Sequence, residues 1–135
     1  MGLESGDAPE MWNFDHTDRV RRLHREFIAA GADIILTNTF GGNRHRLKLH
    51  DGQHRVRALN MAAVKNARAE ADAAGRDVYL AGSIGPTGEM YMPVGTFPSE
   101  EGVSAFADQA APLTRAGAVV RWMYTHSGEG GRPAP

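Results

Sequence analysis

The sequence predicts an α/β fold in which helices alternate with short parallel strands. Three apolar runs, at residues 34–36, 78–81 and 118–124, each follow a helix-like segment and a glycine. Continuous apolar runs are typical of strands that are buried on both faces of a parallel sheet. The first two runs end abruptly in small polar residues, and parallel α/β folds bind their ligands where the strands end. We therefore expect successive β/α units that present polar strand ends to a small molecule.

The first helix is predicted over residues 18–30, after an N-terminal loop over residues 1–16. Asp15 and Thr17 are the candidate N-terminal caps, because both side chains can accept a hydrogen bond from a free backbone N–H group. Gly31 suits the C-terminal stop. The apolar residues of this segment fall on one helical stripe. They are Val20, Leu23, Phe27 and Ile28.

The first strand is predicted over residues 33–37, and a polar loop with a short basic segment over residues 43–53. The second helix is predicted over residues 54–74, and Gly75 ends it. Its spacing of apolar residues is that of a helix packed along one face. That face consists of Val56, Leu59, Ala63, Ala67 and Ala71.

The second strand is predicted over residues 77–81. Residues 82–98 hold four glycines and three prolines, so they are predicted to be a loop, and its length favours a functional role. A third helix is predicted to start near Ser99, and Pro112 is expected to kink or end it. The third strand is predicted over residues 118–124.

Composition limits the classes of function. The 135 residues suffice for one domain with a hydrophobic core. The 15 basic and 16 acidic residues give a net charge of −1, so nothing in the charge favours nucleic acid or an anionic membrane as a partner. The sequence contains no cysteine, which excludes disulfides, thiolate metal ligands and a cysteine nucleophile within it. The cytoplasm is the default location.

Two architectures fit this alternation of helices and strands. One is a small doubly wound sheet, and the other is part of a (β/α)8 barrel, which typically needs about 250 residues. Three strands cannot close a barrel. A doubly wound domain is expected to carry a glycine-rich phosphate loop after a strand, and neither GxGxxG nor GxxxxGK follows any of the predicted strands.

Candidate binding residues lie at the end of the first predicted strand. Thr37 and Thr39 place hydroxyl groups there, and Phe40 follows them. Each has a structural alternative, since the threonines can hydrogen-bond the next turn and Phe40 can belong to the core. Trp12, in the N-terminal loop, can cover one end of a barrel.

Histidines and basic residues near the second helix invite two further interpretations. His45, His50 and His54 are spaced by five and four residues, and Gly52 interrupts a continuous helix, so solvated histidines are favoured over a metal site. The basic residues there lack the interleaved aromatic residues of a nucleic-acid platform, so a solvated face is favoured. These are Arg44, Arg46, Lys48, Arg55 and Arg57.

Four stretches in this order resemble the homocysteine S-methyltransferases, and most closely the bacterial betaine–homocysteine branch. They are SGDAPEMWN (5–13), ADIILTNTFGGN (32–43), RLKLHDGQHRV (46–56) and AGSIGPTGE (81–89). The resemblance implies a (β/α)8 barrel, incomplete in this chain, that transfers a methyl group from betaine or another donor to the homocysteine thiol and gives methionine. It also implies a zinc ion that three cysteines hold and that binds the thiol as a thiolate.

The resemblance also assigns residues to the substrate site. Thr37 matches the strand-end threonine that lines the homocysteine site. Trp12 and Phe40 match aromatic residues that wall the trimethylammonium group of betaine, a cation that aromatic faces hold well. The matched residues of the third family loop have a shaping role only. They are Gly82, Ser83, Gly85 and Pro86.

The departures from the family pattern are as informative as the matches. The family begins with a strand that carries an Asp-Gly pair, and this sequence is expected to start after that strand. The zinc cysteines of the family lie in its second half, and this sequence has no cysteine. Where the family has Trp-Ile-Glu-Thr, whose glutamate contacts the substrate amine, residues 122–125 read Trp-Met-Tyr-Thr. We therefore expect a truncated reading frame without a catalytic residue or metal ligand of its own.

Three hypotheses follow for the whole chain. The first is an inactive fragment in which residues 1–125 form the N-terminal part of a homocysteine-binding barrel and residues 126–135 a disordered tail. The second is a non-catalytic remnant that associates through exposed barrel edges, including with itself. The third is a stand-alone α/β domain that binds a ligand through the loop over residues 82–98.

Overall fold

The computed structural model describes residues 2–3 and 6–124. Within them, three strands form a parallel sheet in the order β1-β2-β3: β1 (Ile34–Leu36), β2 (Tyr79–Ile84) and β3 (Val120–Met123). The helices are α1 (Trp12–Asp15), α2 (Thr17–Ala29), α3 (Arg44–Leu47), α4 (Val56–Asp72) and α5 (Ser99–Arg115). The predicted alternation of helices with parallel strands is confirmed. The predicted tail over residues 126–135 lies outside the described residues.

The N-terminal segment is more ordered than the predicted loop over residues 1–16. A 3-10 turn (Pro9–Met11) leads directly into α1. Proline at the first helical position has a suitable φ and lacks the N–H group that would otherwise be unpaired. Trp12 and Asn13 are buried. The loop prediction was therefore wrong for residues 9–15.

Helix α2 agrees with its prediction to within one residue at each end, but its cap and part of its apolar stripe differ. His16 occupies the N-cap position without a side-chain cap bond, so the prediction of Asp15 or Thr17 was wrong. Val20 and Ile28 are buried as predicted, whereas Phe27 is 55% exposed. His24 lies on the buried line instead, because residues 20, 24 and 28 are one turn apart and face α4.

Strand β1 is shorter than predicted and is not buried on both faces. Only Ile35 is buried, while Ile34 is 51% and Leu36 is 39% exposed. The apolar run is therefore a one-sided strand in this structure, and the prediction of two buried faces was wrong for it. The predicted polar loop over residues 43–53 contains α3, which Asn43 caps by accepting a hydrogen bond from the Arg46 N–H group.

Helix α4 forms as predicted, with its ends drawn in by two residues, and all five residues of its predicted apolar face are buried. The helix is followed by Gly75 in the left-handed region, at φ +68°. Leu59, Ala63, Val64 and Ala67 have no exposed surface. Helix α4 packs against both α2 and α5 and is the centre of the helical layer.

Strand β2 continues three residues beyond its prediction, since Ala81–Ile84 pairs with β3. The connecting loop therefore spans residues 85–98. Helix α5 starts at Ser99 as predicted and runs through Pro112 to Arg115. Leu113, the next residue, has no exposed surface and lies against Gly82, where an added Cβ would come 3.0 Å from its Cδ1 atom. This packing keeps the helix intact beyond the proline.

One face of the sheet is covered and the other is open. Ile35, Leu80 and Ile84 point towards the helices and form the main core with residues of α2, α4 and α5. Side chains alternate along a strand, and strand register places the remaining residues on the opposite face. Five large apolar side chains are at least 37% exposed there: Ile34, Leu36, Tyr79, Val120 and Trp122.

Candidate functional site

The carboxyl ends of the three strands meet at one edge of the sheet, because the strands are parallel. The loop after β1 (residues 37–43), the loop after β2 (residues 85–98) and Tyr124 after β3 all lie at this edge. The Thr37 N–H group donates to the Ala81 carbonyl, and the Tyr124 N–H group donates to the Ile84 carbonyl. We call this edge, with its loops, the carboxyl edge.

Thr37 and Thr39 join the first two strands through a chain of hydroxyl groups. The Thr39 hydroxyl lies 2.7 Å from the Ser83 carbonyl oxygen and donates to it. The 2.7 Å contact between Thr37 Oγ1 and Thr39 Oγ1 then requires Thr37 to donate, since the Thr39 proton is already used. Thr37 Oγ1 also accepts from the Ser83 N–H group at 3.1 Å. Thr37 is 3% exposed, so one lone pair of its buried hydroxyl remains for a further donor.

Phe40 is the predicted site residue with the most open surface. It is 43% exposed and does not belong to the core. Its ring packs edge-on against Tyr124 at a centroid distance of 4.9 Å, and its carbonyl accepts from the Gly85 N–H group at 2.9 Å. An added Cβ at position 85 would come 2.5 Å from this carbonyl oxygen. Glycine is therefore required where the loops after β1 and β2 touch.

Trp12 is buried, with 8% of its surface exposed, and it already has aromatic and cationic neighbours. The His16 ring lies edge-on at 4.7 Å, and the Arg19 guanidinium carbon lies 5.3 Å from the indole centroid. The segment that carries Trp12 is tied to the loop after β1. Asn13 donates to the Asn38 carbonyl at 2.7 Å, and Asn38 donates to the Pro9 carbonyl at 2.6 Å.

A set of buried polar side chains, which the sequence did not reveal, holds the loop after β1. Glu10 Oε1 accepts from the Gly41 N–H group at 2.6 Å. Asn60 of α4 donates to the Gly42 carbonyl at 2.8 Å, and Gln109 of α5 donates to the Thr39 carbonyl at 2.7 Å. Asn60 and Gln109 are fully buried, and Glu10 is 7% exposed. Both amides sit on helices at positions where the period predicts apolar residues, and that mismatch is the signal that points to them.

The space around Gly42 explains why these amides require a glycine there. An added Cβ would lie 2.9 Å from Asn60 Oδ1 and 3.1 Å from Gln109 Nε2. Within the described residues, Asn60 Oδ1 and Gln109 Oε1 are buried and have no hydrogen-bond partner. The loop is therefore held from two helices, by one hydrogen bond from Asn60 and one from Gln109.

His45, His50 and His54 are not grouped as metal ligands in the described part of the chain. Over residues 2–3 and 6–124, no group of three or more His, Cys, Asp or Glu side chains is arranged to hold a metal ion. His50 and His54 are exposed. His45 lies between two carboxylates, at 3.8 Å from Glu89 and 3.7 Å from Glu101, on opposite nitrogens of its ring, so these two carboxylates cannot share one ion with it.

The pKa values of two buried side chains between α2 and α4, away from the carboxyl edge, are displaced. Burial lowers the pKa of His24 to about 4, although the nearby Glu70 carboxylate opposes this. Hydrogen bonds from Arg25, and secondarily from Arg21, lower the pKa of Glu70 against the opposing effect of burial. At the carboxyl edge, burial raises the pKa of Tyr91 in the loop after β2.

The chain is similar in sequence to proteins of one enzyme family. The family model for homocysteine S-methyltransferase matches residues 3–127. The chain is similar to two methionine synthases over 88 residues, at 39% identity for Mycobacterium tuberculosis and 35% for Mycobacterium leprae. These matches cover 63% of this chain and 7% of each synthase. The chain therefore spans a small part of those relatives.

The fold is similar to that of the homocysteine methyltransferase MmuM from Escherichia coli. Its metallated form superposes with a TM-score of 0.76 at 20% identity, covering 90% of this chain and 48% of that chain. The oxidized form gives a TM-score of 0.74 and covers 46% of that chain. The three parallel strands and their helices correspond to part of the MmuM fold, and the chain spans about half of its length. In the part of the chain that the structure describes, none of the helices has the length and apolar character of a membrane span.

Proposed function

Because the chain belongs to the homocysteine S-methyltransferase family, we propose that it forms the homocysteine-binding front part of a barrel that methylates the homocysteine thiol to methionine. The observation that carries the proposal is the convergence of Thr37, Phe40 and Tyr124 at the carboxyl edge, where parallel α/β folds bind ligands. The buried hydrogen bonds to the loop after β1 fix this edge before a ligand arrives, which lowers the entropy lost on binding.

Each predicted site residue has a role in this proposal. The remaining lone pair of the Thr37 hydroxyl accepts a hydrogen bond from homocysteine. The other hydrogen bonds of this hydroxyl, to Thr39 and from the Ser83 N–H group, join β1 to β2. Phe40 is the aromatic face that we propose for the donor cation, and Trp12, which is buried with Arg19 over its ring, is proposed as a second one. Phe40 has 43% of its surface open, and Tyr124 stands against it. Betaine is the donor we propose, because aromatic faces attract a quaternary ammonium group.

The residues present do not fit the zinc ion of the family. The sequence has no cysteine, and the described residues offer no alternative cluster of ligands. We therefore propose that this chain binds substrate without transferring the methyl group by itself. A free thiol substrate is best preserved in a reducing compartment, which supports the cytoplasm as its location.

The test combines a binding and an activity measurement on the purified chain. Adding homocysteine is expected to shift the backbone amide resonances of residues 37–43 in the ¹⁵N NMR spectrum, and methionine formed from homocysteine and betaine should stay at the blank level by mass spectrometry. Phe40→Ala should weaken the amide shifts, whereas Phe27→Ala, a change at an exposed phenylalanine on α2, should not. Methionine above the blank would contradict the inactive-fragment proposal. Absence of shifts at residues 37–43 would contradict homocysteine binding.

A second candidate function is association through the open sheet face. This face has five large apolar side chains, and within residues 2–3 and 6–124 the outer edges of β1 and β3 are unpaired. Both features favour association with another chain. We propose a second copy of this chain as the occupant, since identical apolar faces can cover each other. Sedimentation velocity should show dimers that Trp122→Lys reverts to monomers, while Phe27→Lys on the helical side leaves them intact. A native chain that is monomeric at 100 μM or above would refute this candidate.

A further inference from the structure

Glu10 carries a buried carboxylate at the carboxyl edge. The residue is 7% exposed and sits in the 3-10 turn before α1. Its Oε1 atom accepts the Gly41 N–H group at 2.6 Å. An added Cβ at position 41 would come 2.9 Å from the same oxygen, so glycine is required for this approach. The side chain is therefore held in place by the loop after β1.

This carboxylate has no positive partner among residues 2–3 and 6–124. The ion pairs of the described residues use Glu26, Asp33, Glu70, Asp72, Glu89, Glu101 and Asp108, and none of them uses Glu10. Removing a carboxylate from water is costly unless it is paired and hydrogen-bonded. One backbone N–H group satisfies part of its hydrogen-bonding capacity and none of its charge. Within the described residues, the Glu10 carboxyl group therefore has one hydrogen-bond donor and no cationic partner.

The position of the Glu10 carboxyl group indicates the kind of cation that would bind to it. The Gly41 N–H group that it binds directly follows Phe40, and Trp12 lies two residues along the chain. We propose that Glu10 is a ligand-binding residue that pairs with an organic cation, an ammonium or sulfonium group, at the carboxyl edge. This inference rests on the proposed function and deepens it. Two sources have this chemistry: the α-ammonium group of homocysteine and the onium group of a methyl donor.

The experiment removes the charge and leaves the hydrogen bond. In Glu10→Gln the amide oxygen can still accept the Gly41 N–H group, whereas Glu10→Asp retains the charge. Binding is followed by the Gly41 amide resonance. Choline is compared with 3,3-dimethylbutan-1-ol, its neutral carbon isostere, and homocysteine with 4-mercaptobutanoate, which lacks the ammonium group. Glu26→Gln removes an exposed carboxylate of α2, away from the carboxyl edge, and is the matched control.

The native chain should prefer each cation to its counterpart, and Glu10→Gln should reduce at least one of these preferences roughly tenfold. Glu26→Gln should leave both intact, and Glu10→Asp should keep more of the preference than Glu10→Gln. Loss of the choline preference assigns the onium donor, and loss of the homocysteine preference assigns the α-ammonium group.

The proposal is overturned if the native chain shows neither preference, or if Glu10→Gln keeps both, since Glu10 then only supports the loop. Should Glu10→Gln fail to give a folded spectrum, the decision rests on Glu10→Asp. This variant must then be folded and must keep both preferences for the proposal to stand. Selective choline binding without homocysteine binding would count against the proposed function while leaving Glu10 as a cation site.

Discussion

His24 makes the stability of this chain depend on pH. The side chain is 3% exposed between α2 and α4, and burial lowers its pKa from 6.5 to about 4. Its Nε2 atom is buried and has no hydrogen-bond partner in the described part of the chain. Between pH 6.5 and about 4, the two pKa values of His24, the unfolded state binds a proton that the folded state does not. Unfolding therefore becomes more favourable as the pH falls.

The size of the effect follows from the two pKa values. Integrating proton binding from pH 7.5 to pH 5 gives a loss of about 2 kcal/mol in the free energy of unfolding. Most of this loss falls below pH 6.5, and stability continues to fall until the pH is below about 4. Glu70 contributes little to the change between pH 7.5 and 5. Its pKa is lowered in the folded state, so the stability that it contributes is lost only as the pH falls below the usual carboxyl range.

The assay is urea denaturation at pH 7.5, 6.0 and 5.0, followed by circular dichroism. His24→Gln should be less dependent on pH than the native chain by about 2 kcal/mol over this range. His50→Gln, which changes an exposed histidine, should keep the native dependence. A native chain that is equally stable at pH 7.5 and 5.0, or a His24→Gln variant with the native slope, would refute this reasoning.

Two further predictions concern stability at pH 7.5. Glu70→Gln should lower the free energy of unfolding by about 1–3 kcal/mol, because the nearly buried carboxylate binds two arginines. Glu26→Gln, at an exposed carboxylate, should change it by about 0.5 kcal/mol or less. Equal effects of the two variants in urea denaturation would contradict this. Leu113→Ala should cost about 2–5 kcal/mol, since the side chain has no exposed surface and joins the sheet to α5. Val119→Ala, at a residue that is 65% exposed, is its control, and a similar loss in both variants would show that the core assignment is wrong.

Most of the fold could be predicted from the sequence, because each long helix carries a clear period and a glycine stop. Helix α4 shows this best, since all five predicted apolar positions are buried. The period was less reliable for α2, where it selected Phe27 and passed over His24. A stripe defined by polarity cannot show which of two neighbouring lines of residues a second helix covers. Packing against α4 decided this.

The site residues at the strand ends could be predicted from the sequence, whereas the buried side chains that hold the loop after β1 could not. Thr37 and Phe40 could be selected because polar and aromatic residues interrupt an apolar run at the end of a strand. Glu10, Asn60 and Gln109 lie 31, 18 and 70 residues from the backbone groups that they bind, so no local pattern connects them with the loop after β1. Only the fold brings those groups within hydrogen-bonding distance.

The sequence by itself determined the order of the elements, the parallel α/β class and the resemblance to a methyltransferase family, since periods, stops and motifs are properties of neighbouring residues. Tertiary structure alone decided which sheet face is covered, as Ile34 and Ile35 show: they are chemically identical neighbours, 51% and 3% exposed. Alternation along a strand sends them to opposite faces, and helices cover only one of these. Burial depends on what the rest of the chain places against a surface, and that information is not local to either residue.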